Sequence, residues 1–289
     1  MTRHARAPAK INLTLHILGR RADGYHELES LTAFAGVCDH LYFEAGAPLS
    51  LTVEGPTAPA AGANDDNLVL RAARNLLERI PAARTGAFRL VKYLPVAAGV
   101  GGGSSDAAAA LRLLCDENGL TYDDARVLAA ARATGADVPV CLQPHARMMA
   151  GVGEKLGPAL DLPPLCAVLV NPRIAVETRA VFAKLGLQAG QARSFGRHPE
   201  IGQAMARADL FAALRKGRND MEDAAGILAR QIVDVLAVLS AARGCRLARM
   251  SGSGATCFAL FENRRAAVAA ARSVRRSRPD WWVKATVLR

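Results

Sequence analysis

The sequence predicts an α+β protein of two domains, residues 1–160 and 161–289, on three observations. A chain of 289 residues, 51% hydrophobic and 22% charged, is long enough for two cores and polar enough to fold in water. In its first half, strand-like runs alternate with helical ones, and Leu94–Leu114 reads as a strand end, a glycine-rich loop and a helix start in succession. After Asp161-Leu-Pro-Pro164 the pattern resets to β-α-β-β-α-β with inserted helices, the order of ferredoxin-like packing.

Residues Ile11 to Ile17 alternate, with Ile11, Leu13, Leu15 and Ile17 on one face and Asn12, Thr14 and His16 on the other, which predicts a half-buried strand. Lys10 stands at its entrance. The turn signal Gly19 to Gly24 ends it just before Tyr25 and His26. Further strand-like runs cover Val37–Glu44, Leu49–Val53 and Phe88–Leu94. Between them Leu68, Ala72, Leu76 and Ile80 recur as a helix stripe after the capping cluster Asp65, Asp66 and Asn67.

Gly99, Gly101, Gly102 and Gly103 permit backbone conformations and close approaches that a Cβ would obstruct. Ser104 or Ser105 is placed to cap the helix carrying Ala107 to Leu114. The free N–H groups and positive dipole end of that helix make an anion site, with phosphate as its natural guest. A Walker A loop is excluded because Ser104, not Lys, follows Gly103; a dinucleotide fingerprint is excluded because Ser104 stands where its third glycine belongs.

A helix is expected from a Thr121 cap, with Asp124 three residues on, to a stop at Gly135. Pro139 biases the residue before it toward extended backbone, so Asp137 is expected on a stiff, non-helical link. In the second half the reading gives strands at Leu165–Val170, Arg246–Met250, Ala255–Phe261 and Trp281–Leu288. Helices are expected near Thr178–Leu185, within Ile201–Arg243 and over Arg264–Val274, with a tight turn at Ser251–Gly254.

No apolar run is long enough to span a bilayer, and Asn12, Thr14 and His16 interrupt any signal-peptide core, so a cytoplasmic protein is expected. Cys38, Cys115, Cys141, Cys166, Cys245 and Cys257 form no C-x-x-C pair, which predicts reduced thiols and no structural zinc. A net charge of +11 raises a nucleic-acid partner. The densest basic group, Arg264, Arg265, Arg272, Arg275, Arg276 and Arg278, instead reads as a solvated helix face, and no aromatic RNA-binding signature accompanies it. Attraction of anionic small substrates accounts for the sign equally well.

PAKINL at residues 8–13, PVAAGVGGGSSDAAA at 95–109 and SGSGAT at 251–256 resemble the three signature motifs of the GHMP small-molecule kinases. The resemblance narrows at PAKINLTLHILGRRADGYHELES and extends through ADVPV at 136–140, GVGE at 151–154 and NDME at 219–222. It points to the branch that uses ATP to phosphorylate the 2-hydroxyl of 4-diphosphocytidyl-2-C-methyl-D-erythritol in non-mevalonate isoprenoid synthesis. That resemblance implies a two-domain GHMP kinase fold, with an N-terminal ribosomal-protein-S5-domain-2-like sheet with helices and a C-terminal ferredoxin-like domain.

It also implies roles. Lys10 would stabilise charge on the transferred phosphoryl group and Asp137 would take or orient the proton of the attacking hydroxyl. Pro95, Val96, Ala97, Ala98, Gly99, Val100, Gly101, Gly102, Gly103, Ser104, Ser105 and Asp106 would hold ATP, with Asn67 and Lys92 bordering the adenine. Tyr25 and His26 would recognise the cytosine and Phe182 its opposite face, although Phe182 equally fits a core position beside Val181 and Leu185. Asn12 and Thr178 are further substrate contacts. Mg²⁺ is expected on the triphosphate, with no ligands identifiable. Two features depart from the family pattern: Asp106 stands where many members carry Asn, and Glu177 precedes Thr178 in a divergent segment. Alternatives are a homoserine- or mevalonate-type kinase, which would have no base for Tyr25 and His26 to stack, and a non-catalytic nucleotide- or nucleic-acid-binding module, which would not need both Lys10 and Asp137. Nothing in the sequence signals the oligomeric state.

Overall fold

The computed structural model describes residues 2–61, 66–193 and 196–289; Asp65 of the expected capping cluster lies outside them. In chain order the first part runs β1 (Thr2–Asn12), β2 (His16–Arg20), β3 (His26–Ala45), β4 (Ser50–Glu54), α1 (Leu68–Arg79), β5 (Gly86–Val91), α2 (Gly102–Asn118), α3 (Ala125–Thr134) and α4 (Val138–Leu142). There follow β6 (Arg147–Gly151), β7 (Lys155–Leu156), β8 (Leu165–Asn171), α5 (Thr178–Lys184), α6 (Arg207–Lys216), α7 (Glu222–Leu228), α8 (Arg230–Ser240), β9 (Cys245–Met250), β10 (Cys257–Phe261), α9 (Arg264–Ser277) and β11 (Trp282–Leu288). The fold is α+β, and the chain divides into two compact units.

One unit comprises Met1–Lys10, Val37–Val96 and Gly101–Pro144. Its sheet pairs the second part of β3 antiparallel to β5 and β5 parallel to β4, with Phe43 opposite Phe88 and Leu51 also opposite Phe88. The Phe43 and Phe88 rings lie 4.9 Å apart in the core. Helix α1 starts where Asn67 Oδ1 accepts from Val69 N–H at 3.0 Å, an N-cap that satisfies one orphan donor.

The other unit comprises Ile11–Gly36, Ala97–Val100 and His145–Arg289. Its strands lie in the order β11-β8-β10-β9, all neighbours antiparallel. That is the ferredoxin-like arrangement expected of β-α-β-β-α-β. Val168, Val170, Ala259 and Phe261 from the sheet meet Ile232 and Val235 of α8 and Ala267 and Val274 of α9 in one core. The first part of β3 pairs with β2 and β6 and touches β11 at Ala35. The hairpin β6–β7 around the GVGE segment has no counterpart in the sequence reading.

Several local expectations are corrected. The strand expected over Ile11–Ile17 breaks after Asn12 and resumes at His16, and it is buried on both faces rather than one. Its polar residues tolerate this because each makes a hydrogen bond, with only His16 Nδ1 among their side-chain nitrogens and oxygens left buried without a partner. Asn12 Nδ2 donates to Ser30 Oγ at 2.7 Å, Thr14 Oγ1 lies 2.6 Å from His198 Nε2, and Arg218 N–H donates to His16 Nε2 at 3.1 Å. Burial, with Arg218 and His198 close by, pushes the His16 pKa down to about 4, which suits a neutral acceptor ring. No serine caps α2; Gly101 does so in the left-handed conformation, φ 60°, while Ser105 Oγ donates to Pro8 O at 2.6 Å. The cap before α3 is Asp124 rather than Thr121. Asp137 is not on an extended link but at the N-cap of α4, because Pro139 falls in the first helical turn, where its missing N–H costs nothing. All six cysteines are free thiols. Among the described residues no helix is long and apolar enough to cross a membrane.

Candidate active site

In the first unit two lysines carry the charge. Lys10 is delivered by β1 between Ala9 and Ile11, all three buried. Its ammonium donates to Asp137 Oδ1 at 2.7 Å; the lysine side chain is 5% exposed and the aspartate 38%. Asp137 spends no oxygen on capping α4, so its carboxylate pairs with Lys10 while keeping an open side. Gly101 suits this place because its backbone has φ +60°, which L side chains rarely adopt, and a Cβ would stand a tight 3.3 Å from Lys10 Cβ. Lysine and glycine loop are therefore packed against each other at the start of α2, where unsatisfied N–H groups accumulate.

Lys92, expected at the adenine pocket, is buried between two acids. Its Nζ donates to Asp39 Oδ2 at 2.5 Å and to Asp106 Oδ2 at 2.6 Å. Burial works against the Lys92 ammonium, but Asp106 and Asp39 outweigh it and the pKa rises. Nζ lies 3.6 Å from the point a Cβ on Gly102 would occupy. Asn67, the other expected adenine contact, uses Oδ1 as the α1 cap. Pro95 is buried, and Gly103 borders α1, its missing Cβ facing Leu68 at 3.2 Å.

In the second unit the remaining loop residues, Ala97–Val100, lie against the SGSGAT turn. Thr256 N–H donates to Ala98 O, and Ser251 Oγ donates to Gly99 O, each at 3.0 Å. A Cβ on Gly99 would stand 2.5 Å from Ser251 O, so glycine is required. Ser251 Oγ also accepts from Asn12 N–H at 3.1 Å, and Thr178 Oγ1 pairs with Ser253 Oγ at 2.8 Å. Asn219 of the NDME segment donates to Met250 O and Gly252 O, both at 2.8 Å, which fixes the turn.

His26 and Phe182 stack, ring centroids 4.4 Å apart at 22°, and Phe182, partly buried, also packs against the hydrophobic core, so both of its expected placements hold in part. Tyr25 is 64% exposed, and His26 Nε2 is a buried ring nitrogen without a hydrogen-bond partner. Burial and Arg20 lower the His26 pKa. An exposed phenol beside a stacked imidazole offers a flat platform and a polar edge.

Sequence reasoning missed Asp39, Ser30 and His198. Asp39 had a signal, a lone acid inside the apolar strand run Val37–Phe43; Ser30 and His198 had none. Among the described residues no group of three or more His, Cys, Asp and Glu side chains is arranged to hold a metal ion.

Residues 67–144 match the family described as GHMP kinases N terminal domain, and residues 187–280 that described as GHMP kinases C terminal. Fold and motifs thus define a small-molecule kinase of the GHMP class. Over 285 residues the chain is 63% identical to the 4-diphosphocytidyl-2-C-methyl-D-erythritol kinase of Methylobacterium radiotolerans, covering 98% of each. It is 58% identical over 291 residues to the protein of the same name from Xanthobacter autotrophicus, covering 99% of this chain and 98% of that one. A crystal structure of 4-(cytidine 5'-diphospho)-2C-methyl-D-erythritol kinase superposes with a TM-score of 0.79 at 32% identity, covering 99% of both chains. The homoserine kinase of Cytophaga hutchinsonii, at 16% identity and a TM-score of 0.68, shares the fold. The chain belongs to the 4-diphosphocytidyl-2-C-methyl-D-erythritol kinase family and is a phosphotransferase.

Proposed function

We propose that this enzyme transfers the γ-phosphoryl group of ATP to the 2-hydroxyl of 4-diphosphocytidyl-2-C-methyl-D-erythritol. The reading rests above all on the Lys10–Asp137 pair at 2.7 Å, packed against the glycine loop that opens α2. Phosphoryl transfer asks for positioning and charge neutralisation more than for covalent help. The Asp137 carboxylate accepts the hydroxyl proton as the oxygen attacks Pγ, and the bond from Pγ to the β,γ-bridging oxygen breaks to release ADP. Lys10 offsets the charge on the moving phosphoryl group. The amides from Gly101 to Ser105 hold the other phosphates, with Pro95 to Val100 and Asp106 completing the ATP site and Asn67 and Lys92 beside the base.

Tyr25, His26 and Phe182 receive the cytosine, and Asn12 and Thr178 border the alcohol. Magnesium bound to the triphosphate would neutralise it; with no carboxylate cage among the described residues, the ion would be held by the nucleotide itself. We place the enzyme in the cytoplasm, where its six free thiols suit a reducing environment. The domains we assign are residues 1–160, ATP-binding, and 161–289.

A kinase assay supplying ATP with the cytidine diphosphate alcohol, homoserine and mevalonate in parallel tests this. Monophosphorylation of the cytidine compound alone is the expected result. Preferential turnover of either other alcohol, or none of any, would overturn the reading.

A further inference from the structure

The Lys92 cluster carries two acids on one base, all inside the protein. Asp39 is fully satisfied: Oδ2 accepts from Lys92, and Oδ1 accepts from Tyr93 and Leu94 N–H at 2.5 and 2.8 Å. Asp106 is not. Its Oδ2 accepts from Lys92 at 2.6 Å, while Oδ1 has no hydrogen-bond partner although the residue is only 3% exposed.

With every group ionised the cluster holds one surplus negative charge, centred on an oxygen that nothing solvates. Such a group is costly to bury and is relieved by a proton on Oδ1. Burial pushes the Asp106 carboxyl up to about 7, with Lys92 opposing and Asp39 adding to the rise. Among the described residues, Lys92 and Asp39 are the charged groups acting on it. The cluster also lies beneath the first turn of α2: Asp106 is one turn on from Gly102, and Lys92 Nζ comes within 3.6 Å of the point a Cβ on Gly102 would occupy.

We propose that Asp106 keeps its proton in the nucleotide-bound enzyme and surrenders it only at the expense of nucleotide affinity, so that the Lys92–Asp39–Asp106 cluster couples ATP binding to pH. The proposal deepens the nucleotide reading of the glycine loop and rests on it. Asp106 acts here as a positioning residue, through charge. A triphosphate on the α2 amides adds negative charge within a turn of this carboxyl. Ionised Asp106 repels it; neutral Asp106 does not. Affinity is therefore full while the acid is protonated and declines as pH rises through neutrality. By reciprocity, nucleotide binding tightens the hold on the proton and draws one from solution.

The test measures KM for ATP, kcat and the dissociation constant of a non-hydrolysable ATP analogue from pH 6 to 8.5, in the wild type and in Asp106→Asn, a permanently neutral near-isostere. Titration of the nucleotide's own phosphates enters both proteins equally and cancels in the comparison. The wild-type constants should rise about fivefold more across the range than those of Asp106→Asn, with the excess in KM rather than kcat. Parallel profiles with tight binding would overturn the coupling alone; no analogue binding at any pH would overturn the nucleotide reading with it. Should that variant not fold, calorimetry in two buffers of different ionisation enthalpy compares the wild type with Asp106→Ser, so that the nucleotide's own protons again cancel: greater proton uptake by the wild type near pH 7 supports the coupling, and equal proton balances overturn it.

Discussion

Lys10 and Lys92 both meet aspartates at hydrogen-bonding distance, 2.7 Å in one case and 2.5 and 2.6 Å in the other, yet the two regions are built for different work. The Asp137 side chain is 38% exposed, whereas those of Asp39 and Asp106 are 0% and 4% exposed. An acid that exchanges a proton with a substrate needs one side open to it. An acid that braces a loop needs none, and burying it makes its charge state a property of the fold. The same pairing thus leaves one aspartate open to solvent and seals the other two inside the fold, and exposure rather than distance is what distinguishes the two regions.

The sharpest way to break that comparison is Asp137→Asn. The amide keeps the shape but cannot take the proton, so kcat should fall on the order of 10² to 10⁴. KM for ATP should stay within about twofold, because uniform nucleotide binding does not use this oxygen. Steady-state kinetics decides, and turnover near that of the wild type would remove Asp137 from the reaction.

Next in size is Lys92→Met, which strands two buried carboxylates without their cation. Breaking a buried pair from one side costs about 3–5 kcal/mol, read as a lower urea midpoint at unchanged slope. The pH dependence has a definite sign. Asp106 binds its proton more tightly folded than unfolded, so its stabilising share is whole below the ordinary value near 3.8 and fades as pH climbs to about 7. Loss of the lysine, which opposes that rise, extends the fade to higher pH. Urea midpoints of Lys92→Met that do not change with pH between 5 and 8 would contradict this.

How much of this was readable in the chain differs between the two lysines. Lys10 and its glycine loop were legible, because strand alternation and glycine punctuation are local signals. The Lys92 cluster was not: Asp39 lies 53 residues from Lys92, and no local pattern announces a pairing over that separation. The same holds for β1, whose polar face looked solvated until Ser30 and His198 supplied partners from 18 and 184 residues away. Proline at 139 misled in the opposite direction, since a residue that stops a helix interior is at home in its first turn. The ferredoxin-like half was the most legible in its strands and in α5 and α9, each expected within a residue or three of its place, whereas α6, α7 and α8 were read only as helices somewhere within Ile201–Arg243.

The aromatic platform extends the comparison from charge to stacking. Tyr25→Ala removes one exposed face while leaving His26 on Phe182, so KM for the cytidine alcohol should rise by the ~1–3 kcal/mol typical of a lost base stack. KM for ATP should move little. An equal rise for both substrates would place Tyr25 outside the cytosine site.

Asn67 gives the smallest effect and the finest discrimination, because one side chain is asked to serve both fold and ligand. Its Oδ1 caps α1 through Val69 N–H at 3.0 Å. Serine is an equally good N-cap but lacks the amide, so Asn67→Ser should leave the urea midpoint almost unmoved, whereas Asn67→Ala should lose about 1 kcal/mol of stability. If the amide also reads the adenine, both variants should raise KM for ATP by a similar few-fold, the worth of one neutral hydrogen bond. A serine variant with unchanged stability and unchanged KM would confine Asn67 to capping. The ATP site would then reach the base without it, and the architectural role that Lys92 displays would extend to its neighbour in the expected adenine pocket.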